Sequence, residues 1–326
     1  MIRKSLRVAL PALAVFAVSA VAVQAASLTL AHHNAVGSQI ANRGDAFKAC
    51  VEGAGVDLTI QHLPAAQLGT AKEVIEQVKL GAVDMSITDT AYLSELQPDL
   101  AAFQLPFIFE DWDHAERAMN GEVGALLAST LAEKQSLVVL GTMHNGFRDL
   151  LTIDKPIRAL EDMAGVQFRS PPLPLWLAMF ERLNVQPVTV PWNEVYTAMQ
   201  TGLVEGLETP PEGMVSSKTY EVGKYVTQTG HMYNLTTLVI SASTFDRLND
   251  AQRTALKDCG ALFQSEGNVE VRELETVSLA TMADAGLAII QVDKAPFQAA
   301  LKPAWSEMTG NSADVQVFID AIEAAK

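Results

Sequence analysis

Residues 166–207 read VQFRSPPLPLWLAMFERLNVQPVTVPWNEVYTAMQTGLVEGL, and their hydrophobic spacing changes repeatedly between the period of a strand and that of a helix. In the first four residues, Val166 and Phe168 lie on one face of an extended chain, as in a half-buried strand. The spacing predicts strands at 166–169, 187–190 and 203–207 and helices at 174–183 and 193–201. Strands that alternate with helices are typical of an α/β protein with mostly parallel sheets.

The same alternation continues on both sides of this segment. Strands are predicted at 28–30, 56–60, 83–87, 137–140 and 287–292. The run at 137–140 is wholly apolar, as in a strand that is buried on both faces of a parallel sheet. A long amphipathic helix is predicted at 249–284, beginning at Asn249. Because 326 residues exceed the usual size of a single core, two domains are expected, and no Pro- or Ser-rich linker joins them.

The composition excludes several classes of protein. With 49% hydrophobic and 19% charged residues, the chain is suited to packed globular structure rather than to disorder. Its 23 Lys and Arg residues against 38 Asp and Glu residues give a net charge of −15. Because nucleic-acid binding needs a basic face that neutralises phosphates, no nucleic-acid partner is expected.

Residues 1–25 have the pattern of a secretory signal peptide. Three basic residues precede an apolar run at 8–23, and small residues follow around Ala25, where a signal peptidase would cleave. A membrane anchor is the alternative, but the run is shorter than the ~20 residues that a transmembrane helix needs. We therefore expect export, and a mature protein that is free in the periplasm.

Signatures of common catalytic sites are absent from the sequence. There is no phosphate-binding loop, no dinucleotide fingerprint, no G-x-S-x-G elbow and no H-E-x-x-H zinc motif. His32 and His33 are adjacent, so in a strand they point to opposite faces and do not share a metal. Glu205 and Glu208 also have an odd spacing, which argues against a catalytic carboxylate pair. No enzyme activity, cofactor or metal is expected.

Two arginines next to apolar strands are the best candidates for a binding site. Arg169 ends the predicted strand 166–169, and the carboxyl ends of strands are where open α/β sheets bind ligands. Arg148 follows the predicted strand 137–140 after a mostly polar stretch. The plain alternative for each arginine is an ion pair with one of the many surface acids. In an acidic chain, a guanidinium at a strand end favours bidentate binding of a carboxylate instead.

Five motifs, in one order along the chain, resemble those of a known family. They are LPAAQLG at 63–69 with EVIEQVKLGAVDM at 73–85, FQLPF at 103–107, GFR at 146–148, GVQFR at 165–169 and EVYTAMQTGLVEGLE at 194–208. In these motifs the chain is similar, from about residue 28 onward, to the DctP family of solute-binding proteins of tripartite ATP-independent periplasmic (TRAP) transporters. The last motif is the most specific of the five.

The resemblance implies a type II periplasmic-binding-protein fold, in which two α/β domains with long connecting helices close over one ligand in a cleft. Domain I is expected at 26–146 and 235–274, and domain II at 147–234 and 275–326. The implied function is capture of an organic acid for transport. The implied partners are the integral-membrane TRAP subunits, which take up the ligand with an ion gradient, and the binding protein itself is expected to be a monomer.

The resemblance also implies which residues contact the ligand. Arg169 is expected to form a bidentate contact with the ligand carboxylate, and Arg148 to assist it. Asp89 and His33 lie at ligand-facing positions of the family, although Asp89 equally suits capping of the next helix and His33 suits a plain strand end. Trp192 lies where relatives have an aromatic wall, with core packing as the alternative.

Thr209 departs from the family's pattern. Relatives have Gln-Glu-Asn-Pro where this chain has LETP at 207–210, so a hydroxyl replaces the Asn amide that touches the ligand. Pro172 likewise replaces a polar residue. Asp89 would repel a second carboxylate and accept hydrogen bonds from hydroxyls. The favoured ligand is therefore a hydroxylated monocarboxylate such as a sugar acid. A four-carbon dicarboxylate is the second interpretation, and a secreted enzyme acting on a small acid is a remote third.

The two cysteines allow two interpretations. In an oxidising compartment Cys50 and Cys259 form either one disulfide or two buried thiols, and their sequence separation does not decide between these. The resemblance implies that the helices carrying them both belong to domain I, which permits a bond. A disulfide between Cys50 and Cys259 is thus a hypothesis for the structure to test.

Overall fold

A computed structural model describes residues 26–310 and 312–326 of the chain. The predicted signal peptide at 1–25 lies outside these residues. Nine strands form one continuous sheet in this part of the chain. They are β1 (Ala26–Ala31), β2 (Leu58–Leu63), β3 (Met85–Asp89), β4 (Leu137–Thr152), β5 (Gln167–Ser170), β6 (Gln186–Thr189), β7 (Gly206–Thr209), β8 (Tyr225–Ser241) and β9 (Ala288–Gln291).

Helices connect most of these strands, so the α/β class is confirmed. They are α1 (Gln39–Gly53), α2 (Ala71–Lys79), α3 (Thr90–Leu93), α4 (Trp112–Asn120), α5 (Glu122–Gln135), α6 (Pro174–Arg182), α7 (Val195–Gln200), α8 (Pro211–Ser216), α9 (Ala242–Arg247), α10 (Asp250–Asp284), α11 (Ala295–Leu301), α12 (Trp305–Met308) and α13 (Ala313–Ala324). Short 3-10 helices add single turns at Pro98–Gln104, Leu160–Met163, Trp192–Glu194, Thr219–Glu221 and Lys302–Ala304.

The sheet is mixed, with the order β2-β1-β3-β8-β4-β7-β5-β6 and β9 beside β8. Parallel pairing is confirmed on both sides of the centre, where β1 pairs with β2 and β3, and β5 pairs with β6 and β7. It is wrong at the centre, because β4 and β8 are antiparallel to each other over most of their length. The two central strands belong to both halves of the sheet and connect them.

Strand β4 is much longer than the sequence predicted. The pattern at 137–140 marks only its first four residues, whereas the strand continues to Thr152. Polar residues fill much of the remainder, so hydropathy does not reveal a strand whose backbone is paired with β8 over most of its length. Arg148 therefore lies within β4 and not in a segment after it, which corrects its predicted position. Register shifts on either side of it, at 144–146 and 148–150, interrupt the ladder.

Helix α10 confirms the long helix that was predicted at 249–284. Asn249 caps its first turn by accepting a hydrogen bond from the Gln252 N–H at 3.0 Å, and the Gln252 side chain accepts one from the Asn249 N–H at 3.1 Å. The helix lies against β4 at two glycines, since a Cβ atom on Gly141 would be 2.4 Å from the Gly260 carbonyl oxygen. No larger residue fits at this crossing.

A disulfide joins α1 to α10. The Cα atoms of Cys50 and Cys259 are 5.8 Å apart and their sulfur atoms are bonded. The bond crosses a cluster of buried apolar side chains to which Phe47 of α1 and Phe263 of α10 belong. The disulfide hypothesis is confirmed, and the loop that this bond closes is long enough for roughly 4 to 5 kcal/mol of stabilisation in the chain-entropy model.

The last helix packs across the predicted domain boundary. Residues 275–326 were assigned to domain II, yet α13 packs on the 3-10 helix Pro98–Gln104 and on α5. Phe318 lies 5.5 Å from Phe103, measured between ring centroids, and the Ile322 carbonyl oxygen lies 2.8 Å from His114 Nε2. The C-terminal helix is thus attached to segments that were assigned to domain I.

Strand ends from both halves of the sheet point to one place. The carboxyl ends of β1, β3, β5 and β7 are followed or occupied by His33, Asp89, Arg169 and Thr209, respectively. The middle of β4 contributes Arg148 to the same place. None of the helices in the described ranges is both long and apolar enough to cross a membrane.

Candidate binding pocket

One pocket brings together all six residues that the sequence analysis selected. His33, Asp89, Arg148, Arg169, Trp192 and Thr209 all line it. The pocket also has polar and aromatic walls that the sequence analysis missed, formed by Asn34, Tyr92, Asn145, Trp176, Glu212 and Asn234. Most of these lie directly after a strand end or in the middle of β4 and β8, where short-range patterns do not show which way a side chain points.

Arg169 has a buried guanidinium with an unpaired nitrogen. The side chain is 2% exposed, and its Nε atom donates to the Val190 carbonyl oxygen at 2.9 Å. Its Nη2 atom has no hydrogen-bond partner in the described part of the chain. The guanidinium carbon lies 5.5 Å from the centre of the Trp192 ring. Burial lowers the pKa of Arg169, although the neighbouring Tyr92 and Glu208 act in the opposite direction.

Arg148 lines the same pocket but has a carboxylate partner. Its Nη2 atom donates to Glu208 Oε1 at 2.9 Å and to the Glu208 carbonyl oxygen at 2.8 Å, and its Nε atom donates to Glu208 Oε2. Burial acts against its positive charge, but the Glu208 carboxylate more than offsets this and raises the pKa of Arg148. The alternative interpretation, pairing with an acid, thus holds for Arg148, with a buried acid instead of a surface one.

Glu208 is the partner that sequence reasoning missed. It is fully buried, accepts a hydrogen bond from Trp176 Nε1 at 2.8 Å and lies 3.5 Å from His231 Nε2. Burial alone would raise the pKa of Glu208, but Arg148 and His231 bring it well below its usual range. Glu205 is not near it and instead accepts a hydrogen bond from the Gln167 N–H at 2.8 Å. The two glutamates do not form a carboxylate pair.

Asp89 and His33 face the pocket from the first half of the chain. Asp89 occupies the N-cap position of α3 without making a side-chain cap, and its Oδ1 accepts from Thr236 Oγ1 at 3.4 Å. The His33 ring contacts Tyr92 edge-on, with 5.5 Å between ring centroids. Burial lowers the pKa of His33, Asp89 opposes the shift and Arg169 adds to it. His33 Nδ1 has no partner among the described residues.

Trp192 and Thr209 close the pocket on the side of the second half of the chain. Trp192 is half-buried at the start of the 3-10 helix Trp192–Glu194, with its ring toward Arg169. Thr209 is buried at the end of β7. A Cβ atom on Gly213 would be 2.8 Å from Thr209 Oγ1, so glycine is needed for this close contact between β7 and α8.

The arrangement suits binding of a small polar anion. Arg169 offers unpaired N–H donors, the charge of Arg148 is matched by Glu208, and Asp89 and Glu212 add carboxyl groups to the wall, where burial raises the pKa of Glu212. Amide side chains at 34, 145 and 234 offer further donors and acceptors. No group of three His, Cys, Asp or Glu side chains that could hold a metal ion is found within residues 26–310 and 312–326.

Comparison with known proteins identifies the family. The profile of DctP, the bacterial extracellular solute-binding protein family 7, matches residues 30–311. The chain belongs to this family. The resemblance drawn from the five motifs is therefore confirmed, and family 7 proteins are solute-binding proteins.

Relatives within family 7 cover most of this chain. The 2,3-diketo-L-gulonate-binding periplasmic protein of Escherichia coli is 30% identical over 249 residues, 75% of each chain. A TRAP periplasmic solute binding protein from Sulfitobacter sp. NAS-14.1, solved with β-D-galacturonate, is 26% identical with a TM-score of 0.87, over 91% of this chain and 99% of its own. One from Pseudomonas putida F1, solved with D-glucuronate, is 29% identical with a TM-score of 0.84, over 90% and 97%.

Proposed function

We propose that this family 7 protein is the periplasmic solute-binding component of a TRAP transporter and that it captures a hydroxylated monocarboxylate, in particular a sugar acid. Its ligand would then pass to the integral-membrane subunits of that transporter. The proposal includes export through residues 1–25, action as a monomer and binding without chemical turnover. Relatives that bind galacturonate, glucuronate and 2,3-diketo-L-gulonate support this class of ligand.

The charge balance of the pocket carries the proposal. Arg169 has unpaired donors that match one carboxylate, and a guanidinium binds a carboxylate through two parallel hydrogen bonds. Arg148 is already paired with Glu208, so it does not offer a second free positive charge. Asp89 would repel a second carboxylate, and Asp89 and Glu212 both offer oxygen acceptors for the hydrogen bonds of hydroxyls. A dicarboxylate lacks a second cationic partner here, whereas a polyhydroxylated monocarboxylate finds acceptors.

Closure over the ligand is part of the proposal. We infer a cleft between domain I, at 26–146 and 235–274, and domain II, at 147–234 and 275–326, except that α13 packs on domain I. Support comes from a hydrogen bond across it, in which the Gln39 N–H of α1 donates to Glu212 Oε1 of α8 at 3.1 Å. A ligand that contacts Asp89 on one side and Arg169 on the other would favour the closed state by its differential affinity.

Titration calorimetry against a panel of acids tests the function. The panel contains D-glucuronate, D-galacturonate, D-galactonate and D-erythronate, with succinate and L-malate as dicarboxylates and glucose as the uncharged control. We expect binding of at least one sugar acid at a 1:1 ratio, and no consumption of that acid on prolonged incubation. Binding of dicarboxylates alone would overturn the ligand class, and product formation would overturn the non-enzymatic role.

A further inference from the structure

A chain of hydrogen bonds runs from the surface to the pocket through two histidines. Asp45 Oδ1 lies 2.7 Å from His62 Nδ1, and His62 Nε2 lies 2.9 Å from His32 Nε2. His32 Nδ1 accepts from the Asn34 N–H at 3.2 Å. Asp45 is 70% exposed, whereas the His62 side chain is 4% exposed and His32 is 1% exposed. This hydrogen-bond chain therefore begins in solvent at Asp45 and ends at Asn34, which lines the pocket.

The backbone N–H of Asn34 fixes the proton positions along this chain. Because an amide N–H only donates, His32 Nδ1 must be unprotonated, and a neutral His32 carries its proton on Nε2. That proton points at His62 Nε2, which must accept it, so the His62 proton is on Nδ1 and is donated to Asp45. Burial, together with the charges of His62 and His33, lowers the pKa of His32 to about 2, which keeps its ring neutral.

The hydrogen-bond chain fixes the backbone of Asn34, whose side chain is available to a ligand. The Asn34 N–H is bonded to His32, and the Asn34 carbonyl oxygen accepts from the Ala65 N–H at 2.8 Å. The Asn34 side chain lines the pocket, and its Nδ2 atom is buried without a partner among the described residues. The adjacent His33 also faces the pocket. Both side chains are aimed by the backbone of residues 32–34.

An additional proton cannot be placed in the chain without breaking it. A proton on His62 Nε2 would face the proton on His32 Nε2, and moving that proton to His32 Nδ1 would make it face the Asn34 N–H. Asp45 is the acid that contacts His62, whereas Lys48 of α1 is engaged by Glu52 and by the Ile60 carbonyl oxygen. One arrangement of protons therefore satisfies all the hydrogen bonds from Asp45 to Asn34.

We propose that the hydrogen-bond chain from Asp45 through His62 to His32 positions Asn34 and His33 for ligand binding, and that loss of the acceptor at His62 weakens binding by breaking it. The three residues are positioning residues that do not touch the ligand. The effect on affinity rests on the proposed function, whereas the proton positions and the hold on Asn34 do not. A tight fit supports the assignment, because a Cβ atom on Gly44 would be 2.6 Å from His62 Nε2.

NMR spectroscopy of the ligand-free protein tests the chain directly. With ¹⁵N-labelled imidazole rings at pH 7.5, we expect the Nε2–H form for His32 and the Nδ1–H form for His62. The Asn34 amide should exchange slowly in the wild type, and its protection should fall in His62→Phe, which offers His32 no acceptor. An Nε2–H form for His62, or unchanged protection of Asn34 in His62→Phe, would overturn the proposal whether or not any ligand binds.

Calorimetry with D-glucuronate as the probe tests the link to affinity. His62→Phe offers no acceptor to His32, so its Kd should rise about five- to ten-fold, the equivalent of one lost hydrogen bond. The conservative variant His62→Gln keeps an acceptor for His32 and should restore most of the affinity.

His114→Gln is the matched control. His114 also accepts a backbone N–H at Nδ1, from Glu110 at 3.1 Å, and its Nε2 faces the Ile322 carbonyl oxygen, but it does not line the pocket. This variant should keep the wild-type affinity. A wild-type Kd in His62→Phe would overturn the link to affinity. Absence of wild-type binding to the whole acid panel would refute the proposed function instead, leaving the NMR result to judge the chain.

Discussion

Arg148 and Arg169 line the same pocket, yet their surroundings are opposite. Arg148 is held by both carboxylate oxygens of Glu208, whose other contacts are Trp176 and His231. Arg169 has one backbone acceptor, an aromatic ring at 5.5 Å and an unpartnered Nη2 atom. Residue type and burial are the same at both positions, so the partner alone separates a structural arginine from one that is available to a ligand.

This comparison predicts different costs for the two sides of the pocket. Removing one partner of a buried ion pair leaves the other charge desolvated and unpaired, which destabilises the protein. Removing a buried charge that has no partner removes a desolvation penalty, which does not destabilise it. Substitutions at Arg148 and its partners should therefore lower the stability of the ligand-free protein. Substitutions at Arg169 and its neighbours should lower the affinity for ligand.

Glu208→Ala should have the largest effect on stability. The variant leaves Arg148 buried and unpaired, so the free energy of unfolding should fall by about 3–5 kcal/mol. Urea denaturation of the ligand-free protein measures it. Asp154→Ala is the control, because Asp154 pairs with Lys224 on the surface, where side-chain exposures are 75% and 63% and an ion pair contributes roughly 0–1 kcal/mol. Equal losses in the two variants would contradict the comparison.

Arg169→Ala and Arg169→Lys should act mainly on binding. Arg169→Ala leaves the ligand carboxylate desolvated and unpaired, which should cost about 2–5 kcal/mol of binding free energy. Arg169→Lys should recover only part of this binding free energy, because lysine cannot form the two parallel hydrogen bonds. Stability of the ligand-free protein should be unchanged or higher, because a buried unpaired charge is removed. Melting curves with and without ligand measure both effects. Arg182→Ala, on α6 with a side chain that is 48% exposed, is the control.

Asp149 extends the comparison to acids, since it follows Arg148 in β4 but has no arginine partner. Burial raises the pKa of Asp149 to about 7, against the hydrogen bond from the Gly230 N–H. The folded state thus holds a proton that the unfolded state releases, and stability falls as pH rises from about 4 to 7. Asp149→Asn should be more stable than the wild type at pH 8, by on the order of 2–4 kcal/mol, with the difference vanishing near pH 4.

Urea denaturation from pH 4 to pH 8 gives the profile for Asp149→Asn. The Asn variant keeps an acceptor for Gly230, so only the charge changes. Asp154→Asn, at the surface pair, should not alter the slope of stability against pH. A wild-type slope in the Asp149→Asn variant would show that another group causes the dependence.

Substitutions of Trp176 and Trp192, the two tryptophans that line the pocket, should have the smallest effects. One should act on stability and the other on affinity. Trp176→Phe removes the donor to Glu208 and should lower the free energy of unfolding by about 1.5 kcal/mol. Trp192→Leu removes the ring beside Arg169 and should weaken ligand binding by about 0.5–2 kcal/mol. Denaturation and calorimetry on both variants check the assignment. A larger loss of affinity in Trp176→Phe than in Trp192→Leu would reverse it.

Arg169 and Arg148 were selected from the sequence by their places next to apolar strands, and parallel strand ends meet at one edge of a sheet whatever the loops do. Asp89, His33, Trp192 and Thr209 were selected through the family resemblance. The contacts that give these residues their roles were not accessible. Glu208 lies 60 positions from Arg148, and their meeting depends on the antiparallel register of β4 and β7. Glu208 was considered only together with Glu205, its neighbour in sequence.

The sequence by itself determined the alternation of strands and helices and the family, because hydrophobic periodicity and ordered motifs are properties of short segments. Only the tertiary structure decided the antiparallel centre of the sheet, the Cys50–Cys259 bond and the two histidines between Asp45 and Asn34. Each of these depends on which distant segments become neighbours. The packing of the whole chain sets which distant segments become neighbours, and neither hydropathy nor spacing within one segment predicts these contacts.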